Sequence, residues 1–489
     1  MYRKFILLIV LVYTTVLHAN NITFNSIVIP KEYKTENTFS GDLSDTDSFH
    51  LIFTKNKKMK NFKVFSYLFD GNEVVELPSL NNEKSFGLVS FHKKNNVLSL
   101  ILSYSIKKKS FIKSVEYNLD TNEKNESEVF SHDDFVTSIR TKDKSILIYK
   151  TDDVFKVTSF IGNSKPETKE LVLEDNLEVK SFFENESVTS IKTDEFVANG
   201  ATNKVRLYFE NNTLFFTRDS DEPFNVNLVG ISLNNKKSNT TQLLKFNLNE
   251  PILKPTFFIF ENANGEKFKK ATSFFTKEKL FQLAVSKKSG FLNISDINTG
   301  KSLNTIVFDD SLSSSIKGNS EFQGIENFLK NAGKNKYNPT VTANKTNSNK
   351  IRIRVDYVDI SYNYNYNWWW HHQQFMWHMQ QHQMHIQQSI QRSIPSGFGP
   401  RVVDESFFDN ATIFKNKRFF ELLIDIDGNL LDEDLPASFY KEIDKKEYID
   451  KLDDISNFKY ESSCFLKSSF RFIAYDIKLK QFTIQTNKL

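Results

Sequence analysis

The chain has 489 residues, of which 39% are hydrophobic, 14% aromatic and 25% charged. This length and aromatic content exclude a minimal domain and a disordered chain, because they provide enough apolar surface for a large core. The formal charge of +4 is small. Lysines and acidic residues alternate along the sequence, whereas a nucleic-acid-binding domain concentrates a basic stripe. We therefore expect no nucleic-acid partner.

The first 19 residues have the pattern of a secretory signal. Two cations precede an apolar run from Phe5 to Val12, and a small residue follows at Ala19. The run is too short to span a bilayer comfortably. The pattern predicts cleavage near Ala19 and export to the periplasm, the cell surface or the medium. An uncleaved anchor is the alternative, and no later segment of the mature chain is apolar enough to span a membrane.

Short strand-like segments and polar turns alternate through most of the mature chain, residues 20–489. The segments are rich in β-branched and aromatic residues, as in Val97–Tyr104 and Phe419–Ile426. Asp, Asn and Gly, which tolerate positive φ, form many of the turns. Such turns recur near positions 70, 120, 162, 234, 298, 427 and 478. A unit of 40 to 50 residues with about four strands is typical of a β-propeller blade.

The turn motif also carries a resemblance to known proteins. Leu119-Asp-Thr-Asn122 and Ile297-Asn-Thr-Gly300 each place an Asp/Asn-x-Asn/Gly turn after a strand. In this respect the chain resembles the class of secreted β-propellers with degenerate repeats, although WD40-like and kelch signatures are absent. The resemblance implies an all-β fold with about seven four-stranded blades. Tandem β-sandwiches would also give many short strands and are the alternative.

The 129-residue gap between the turns at 298 and 427 predicts one blade plus an insertion, residues 312–416. Within it, Glu321–Lys330 predicts a short helix and residues 331–350 predict a loop. A strand is predicted at Ile351–Val358.

The insertion contains a stretch of unusual composition, which predicts one substantial helix over residues 368–392. No Asp, Glu, Lys or Arg occurs between Ile360 and Gln391, and nothing breaks a helix before Pro395. Its bulky residues include Trp368, Trp370 and Trp377. We interpret these tryptophans as candidate contact residues for a partner.

A second set of contact candidates precedes this helix. Tyr362, Tyr364 and Tyr366 alternate with asparagine and would point to one side of a strand. Such aromatic surfaces stack on sugar rings or pack within a core.

Four histidines fall on one side of the predicted helix: His371, His378, His382 and His385. Imidazoles at i, i+4 or i, i+3 spacing can chelate Zn or Cu, which makes this a candidate metal site. The alternative is a Gln- and His-rich helix whose imidazoles are packed or solvated.

Three functions remain open from the sequence. The first is an exported non-enzymatic binding or scaffold protein whose partner is a protein or a surface glycan. The second is an exported metal-binding protein. The third is a propeller enzyme acting on carbohydrate, although no catalytic motif is found. Cys464 is the single cysteine, so an intramolecular disulfide is impossible.

Overall fold

The computed structural model describes most of the chain after residue 24. The described residues are 25–489 without 72, 107–108, 128–129, 163–164, 174–181, 184–187, 199, 201–202, 221–239, 262–267, 319–320, 360–417 and 444. Within this part of the chain the strands form seven sheets of four or five strands. No helix among the described residues is long and apolar enough to cross a membrane.

The first strand, β1 (Asn25–Ile27), belongs to the last sheet. Sheet I contains β2 (Tyr33–Asp42), β3 (Ser48–Asn56), β4 (Phe62–Phe69) and β5 (Val74–Asn82). Sheet II contains β6 (Gly87–Lys94), β7 (Val97–Ile106), β8 (Lys109–Asn118), β9 (Glu123–Glu126) and β10 (Phe130–His132). Sheet III contains β11 (Asp134–Arg140), β12 (Ser145–Thr151), β13 (Val154–Phe160) and β14 (Glu167–Glu170).

Sheet IV contains β15 (Val188–Ser190), β16 (Val205–Glu210), β17 (Thr213–Ser220), β18 (Thr240–Asn247) and β19 (Thr256–Glu261). Sheet V contains β20 (Lys270–Thr276), β21 (Lys279–Val285), β22 (Gly290–Asp296) and β23 (Ser302–Val307), and a 3-10 helix follows at Asp310–Ser314. Sheet VI contains β24 (Lys317–Gly318), β25 (Tyr337–Lys345), β26 (Ile351–Asp359), β27 (Phe420–Ile424) and β28 (Leu430–Leu431), with helix α1 (Ile325–Ala332) between β24 and β25. Helix α2 (Lys445–Asp453) precedes sheet VII, which contains β29 (Phe458–Phe465), β30 (Ser469–Asp476), β31 (Gln481–Lys488) and β1.

The strand order makes a propeller rather than a sandwich. Each sheet is built mainly from strands that follow one another along the chain, whereas a sandwich distributes successive strands between two sheets. The ends of the chain meet in one sheet, because β1 pairs antiparallel with β31 through Asn25↔Ile484 and Ile27↔Phe482. The predicted all-β fold with four-stranded antiparallel units is confirmed; the number of blades in the whole chain stays a prediction.

Apolar clusters hold neighbouring sheets together. Six successive pairs of sheets, from VII–I through V–VI, each share a cluster of buried hydrophobic residues. Packing between sheets I and II is so close that a Cβ on Gly41 would lie 2.2 Å from the Phe49 ring and 2.6 Å from the Phe91 ring. These faces bury the Phe-rich segments that the sequence predicts to be strands.

The recurrent turns lie inside the sheets rather than at their ends. The turns near 70, 120, 162 and 298 each join the third and fourth strands of a sheet, and the turn near 427 joins β27 to β28 in sheet VI. The turn near 478 joins β30 to β31, and the predicted turn near 234 lies outside the described residues. A hairpin turn of this kind therefore recurs in six of the seven sheets that the structure describes.

One element of the predicted insertion is wrong. Residues 331–350 were expected to be a loop, but they contain β25, which pairs with β26 along its whole length. The predicted short helix is confirmed as α1, and β26 confirms the strand at 351–358. The predicted helix 368–392 lies outside the described residues, and the insertion 312–416 as a unit stays a prediction.

Candidate functional site at the centre of the ring

Sheet IV sends an additional strand towards the centre of the ring. β15 pairs parallel with β16, with Val188 opposite Val205 and Ser190 opposite Leu207. The strand therefore lies beside the first strand of an otherwise antiparallel sheet. The chain then continues into residues 191–198, which we call the central segment. Its contacts bring together sheets that are not neighbours in the chain.

The central segment reaches the first long strand of sheet VI. The backbone N–H of Val197 donates to Asn344 Oδ1 at 2.8 Å, and Asn344 Nδ2 donates to the carbonyl of Val197 at 3.0 Å. A little further on, a Cβ added to Gly200 would lie 2.8 Å from the carbonyl oxygen of Val341. Sheet V separates sheets IV and VI along the chain, so this contact places the segment across the inner side of sheet V.

A second contact joins non-neighbouring sheets. Arg140 ends β11 of sheet III, Asp42 ends β2 of sheet I, and their Nη2 and Oδ1 atoms are 2.8 Å apart. The Arg140 guanidinium also lies 4.0 Å from the centre of the Phe91 ring in sheet II. Burial acts to raise the pKa of Asp42, but the charges of Arg140 and Lys192 outweigh it and the pKa is lowered. Asp42 is therefore held as a carboxylate.

Glu195 links this charge network to helix α2, which lies close to the end of the chain in sequence. Its Oε2 lies 3.1 Å from Nζ of Lys445, the first residue of α2. Burial and the charge of Asp42 act to raise the pKa of Glu195, but Lys445 and Lys192 outweigh them and the pKa is lowered. Acidic and basic groups from sheets I, III and IV and from α2 thus meet at one end of the centre.

The segment between sheets VI and VII passes the same end of the ring. We call residues 438–443 and 445–453 the strap. Ser438 forms an isolated bridge with Thr346, and the N–H of Phe439 donates to the carbonyl of Lys345 at 2.8 Å. These contacts hold the beginning of the strap on the end of β25.

Ion pairs add to the attachment of the strap on sheet VI. Glu442 pairs with Arg352 at 3.4 Å and also with Arg354. Both arginines also bind Glu421 of β27, at 2.8 Å from Arg352 Nε and 2.9 Å from Arg354 Nε. Glu421 and Arg354 are almost completely buried, whereas the Glu442 side chain is 43% exposed. The strap therefore contributes the solvent-exposed member of this cluster.

The pKa values of two other carboxyl groups, the half-buried Glu210 and the buried Asp356, are shifted in the opposite sense to those of Asp42 and Glu195. Burial raises the pKa of Glu210, although the hydroxyl of Thr193 and the N–H of Lys277 donate to it at 3.0 Å. Burial also raises the pKa of Asp356 to about 7, although the backbone of Tyr357 and the charge of Arg354 favour its ionised form. Asp356 can therefore exchange a proton near neutral pH.

The chemistry of this end of the ring is mainly electrostatic cross-linking. Asp42, Glu195 and Glu421 are each paired with a cation at 3.1 Å or less. An ionised, paired carboxylate is a poor general acid. Among the described residues, no group of three or more His, Cys, Asp or Glu side chains is placed to hold a metal ion.

The site residues predicted from the sequence are outside this description. The tryptophan, tyrosine and histidine candidates all fall in the range 360–417, which the structure does not describe. They are Trp368, Trp370, Trp377, Tyr362, Tyr364, Tyr366, His371, His378, His382 and His385. Their proposed roles stay predictions. What the structure adds is where this range is attached, since the chain leaves sheet VI at the end of β26 and returns to it at β27.

Sequence reasoning missed the central charge network. Its members come from positions as distant as Asp42 and Lys445. A weak signal existed, because Asp42 and Arg140 each end a strand and stand beside a polar turn. Charged residues at strand ends are so common that this signal could not have selected them.

Comparisons with known proteins give no family. No family model matches the chain, and no curated protein matches it. It is similar to the WD40 domain of SCAP from fission yeast, with 8% identity, 95% of this chain and 98% of that chain covered, and a TM-score of 0.26. It is also similar to TolB from Acinetobacter baumannii, with 11% identity, 61% and 57% covered, and a TM-score of 0.22. At these values neither likeness carries an argument, so the fold assignment rests on the sheet order.

Proposed function

We propose that this chain is an exported, non-enzymatic binding or scaffold protein. The ring is its rigid platform, and the stretch 361–400 is its contact element. One observation supports this most directly: residues 360–417 connect two neighbouring strands of one sheet, β26 and β27, which pair through Val355↔Phe420. An addition between paired strands can be large without disturbing the ring, because both of its ends are held by the same hairpin.

The paired carboxylates at the centre favour binding over catalysis. A carbohydrate-active enzyme needs one carboxyl that is protonated and one that is ionised, a short distance apart. Asp42 and Glu195 both have lowered pKa values and cationic partners, so this pair lacks the protonated member. The partner of the contact element would be a protein or a surface glycan, because tryptophan and tyrosine side chains bind both kinds of surface.

Replacing residues 360–417 by an Asn-Gly turn tests whether the ring folds without the contact element and whether binding depends on that element. We expect the shortened chain to fold as an all-β protein and to lose sedimentation with the envelope fraction of the host cell. In the full chain, Trp370→Ala with Trp377→Ala should weaken that sedimentation by about tenfold or more. Equal binding by the shortened chain would contradict the proposal.

A matched pair of variants separates partner binding from metal binding. His378→Ala with His382→Ala should leave sedimentation with the envelope unchanged, and metal analysis after Zn or Cu loading should be the same as for the unmodified chain. Loss of one bound ion per chain in this variant would instead favour a metal-binding protein. Export is tested separately, since the mature chain isolated from outside the cytoplasm should begin at Asn20.

A further inference from the structure

The junction between sheets VI and VII differs from the other junctions of the ring. Six successive pairs of sheets share an apolar cluster, but no cluster of the described residues joins sheet VI to sheet VII. Instead, the side of sheet VII that faces away from sheet I is covered by α2. Leu452 of α2 packs with Phe470, Phe472 and Ala474 of β30, and Tyr448 borders the same cluster.

The strap thus has three separate attachments. It is tied to sheet VI by Phe439 and Glu442, to the central segment by the Lys445–Glu195 pair, and to sheet VII by α2. Two of these attachments include ion pairs with a partly exposed member. The side chains of Glu442 and Glu195 are 43% and 33% exposed.

These attachments are weak by comparison with strand packing. α2 has nine residues, and isolated helices shorter than about 12 residues are marginal in water, so its structure depends on docking. Partly exposed ion pairs contribute little and are screened by salt. Segments with few buried apolar contacts open at a lower free energy than the strands around them.

We propose that the strap is a releasable closure of the ring. It undocks from sheets VI and VII as one unit while the sheets stay folded. Release uncovers the apolar side of sheet VII and separates Lys445 from Glu195, which exposes the charged end of the centre. The closed ring and the open ring are then two states of the same protein.

The single cysteine of the chain provides an internal reference for a labelling experiment. Cys464 is 2% exposed and pairs across the strands with Arg471, whose guanidinium contacts Ser48 of sheet I. Paired residues project from the same side of a sheet, so the thiol reports on the junction between sheets VII and I. Ala474→Cys in a Cys464→Ser background places a thiol on the strap side, at a residue that is fully buried.

Thiol labelling of the folded full-length chain tests the proposal. We expect the thiol of Ala474→Cys to react about tenfold faster than Cys464 or more, because only the strap must open. Glu442→Gln should accelerate the strap-side thiol by about threefold to tenfold and leave Cys464 unchanged. The matched control is Glu433→Gln, which removes an exposed pair with Lys350 outside the strap and should change neither rate.

Two results of the labelling would overturn the proposal. The first is equal labelling of both thiols, and the second is equal acceleration of both by Glu442→Gln; each means that the strap opens only when the ring unfolds. Proteolysis needs no cysteine variant, so it tests the proposal even if Ala474→Cys does not fold. Trypsin cleavage after Lys451 should be faster in Glu442→Gln than in the unmodified chain, and an unchanged cleavage rate would also contradict a releasable strap.

Discussion

The two sides of sheet VII show how differently one sheet can be held. Towards sheet I, Ile473, Phe482 and Ile484 join a buried apolar cluster with residues of β3 and β4. Towards sheet VI, β30 meets a single helix of nine residues, which continues a segment that ion pairs attach to sheet VI. Stability is therefore distributed unevenly around the ring, and the junction made by the strap is the one suited to open.

Buried polar groups strengthen the side towards sheet I further. His50 Nδ1 lies 2.8 Å from the Ser40 hydroxyl, and His50 Nε2 lies 3.0 Å from the Ser48 hydroxyl. Arg471 donates to the same Ser48 at 2.9 Å, and Ser40 contacts the Ser462 hydroxyl at 2.9 Å. Leaving one of these buried donors or acceptors without a partner costs free energy. The network therefore favours this particular arrangement of sheets VII and I.

The largest contrast is expected from two truncations of similar size on opposite sides of the sheet. Ile473→Ala, towards sheet I, should lower the free energy of unfolding by about 4 kcal/mol, because it leaves a cavity in a fully buried cluster. Leu452→Ala, on the strap, should lower it by about 1 kcal/mol, because the loss cannot exceed the docking free energy of the strap. Urea unfolding followed by circular dichroism measures both, and equal losses would remove the contrast.

Acidification should lower the free energy of unfolding by an amount between those of the two truncations. The group responsible, His50, lies on the side of sheet VII that faces sheet I. Burial and the nearby charge of Arg471 lower the pKa of His50 from 6.5 to about 3. The unfolded chain therefore takes up the proton first as the pH falls. The contribution of His50 is complete above about pH 6.5 and is lost progressively down to about pH 3, by about 2 kcal/mol between pH 7 and pH 5.

Unfolding at pH 7 and pH 5 checks this expectation. In His50→Gln the loss on acidification should be smaller by about 2 kcal/mol, because glutamine does not titrate. His92 offers a comparison at the junction of sheets II and III, since burial lowers its pKa to about 4. If the unmodified chain and His50→Gln lose the same free energy on acidification, His50 is not a buried neutral group.

The short-range part of this architecture was predictable from the sequence. Strand-like segments and turns such as Asp296–Lys301 follow from local preferences, and Asn211 and Asn212 adopt the positive φ that such turns require. The strand β25 was missed because Asn338, Pro339 and Asn344 make it look like a loop. It is a strand because it pairs with β26 along its whole length and buries Val341 and Ala343 in the apolar cluster that sheets V and VI share.

Long-range features could not be predicted. The contact of Asp42 with Arg140, the parallel strand β15 and the docking of α2 depend on which sheets meet, and a single sequence does not give this. Local patterns specify strands and turns, whereas charge networks need partners that are far apart in the chain. The candidate site at the centre belongs entirely to this second kind.

Hydrogen exchange of the unmodified chain tests most directly whether the strap opens while the sheets of the ring stay folded. Amides of α2 should exchange through a local opening that becomes more frequent as NaCl rises from low concentration to 1 M, since salt screens the Glu442 and Lys445 pairs. Amides of β30 should exchange only with unfolding of the ring and should show no such increase. Identical protection of α2 and β30 at both salt concentrations would contradict the account.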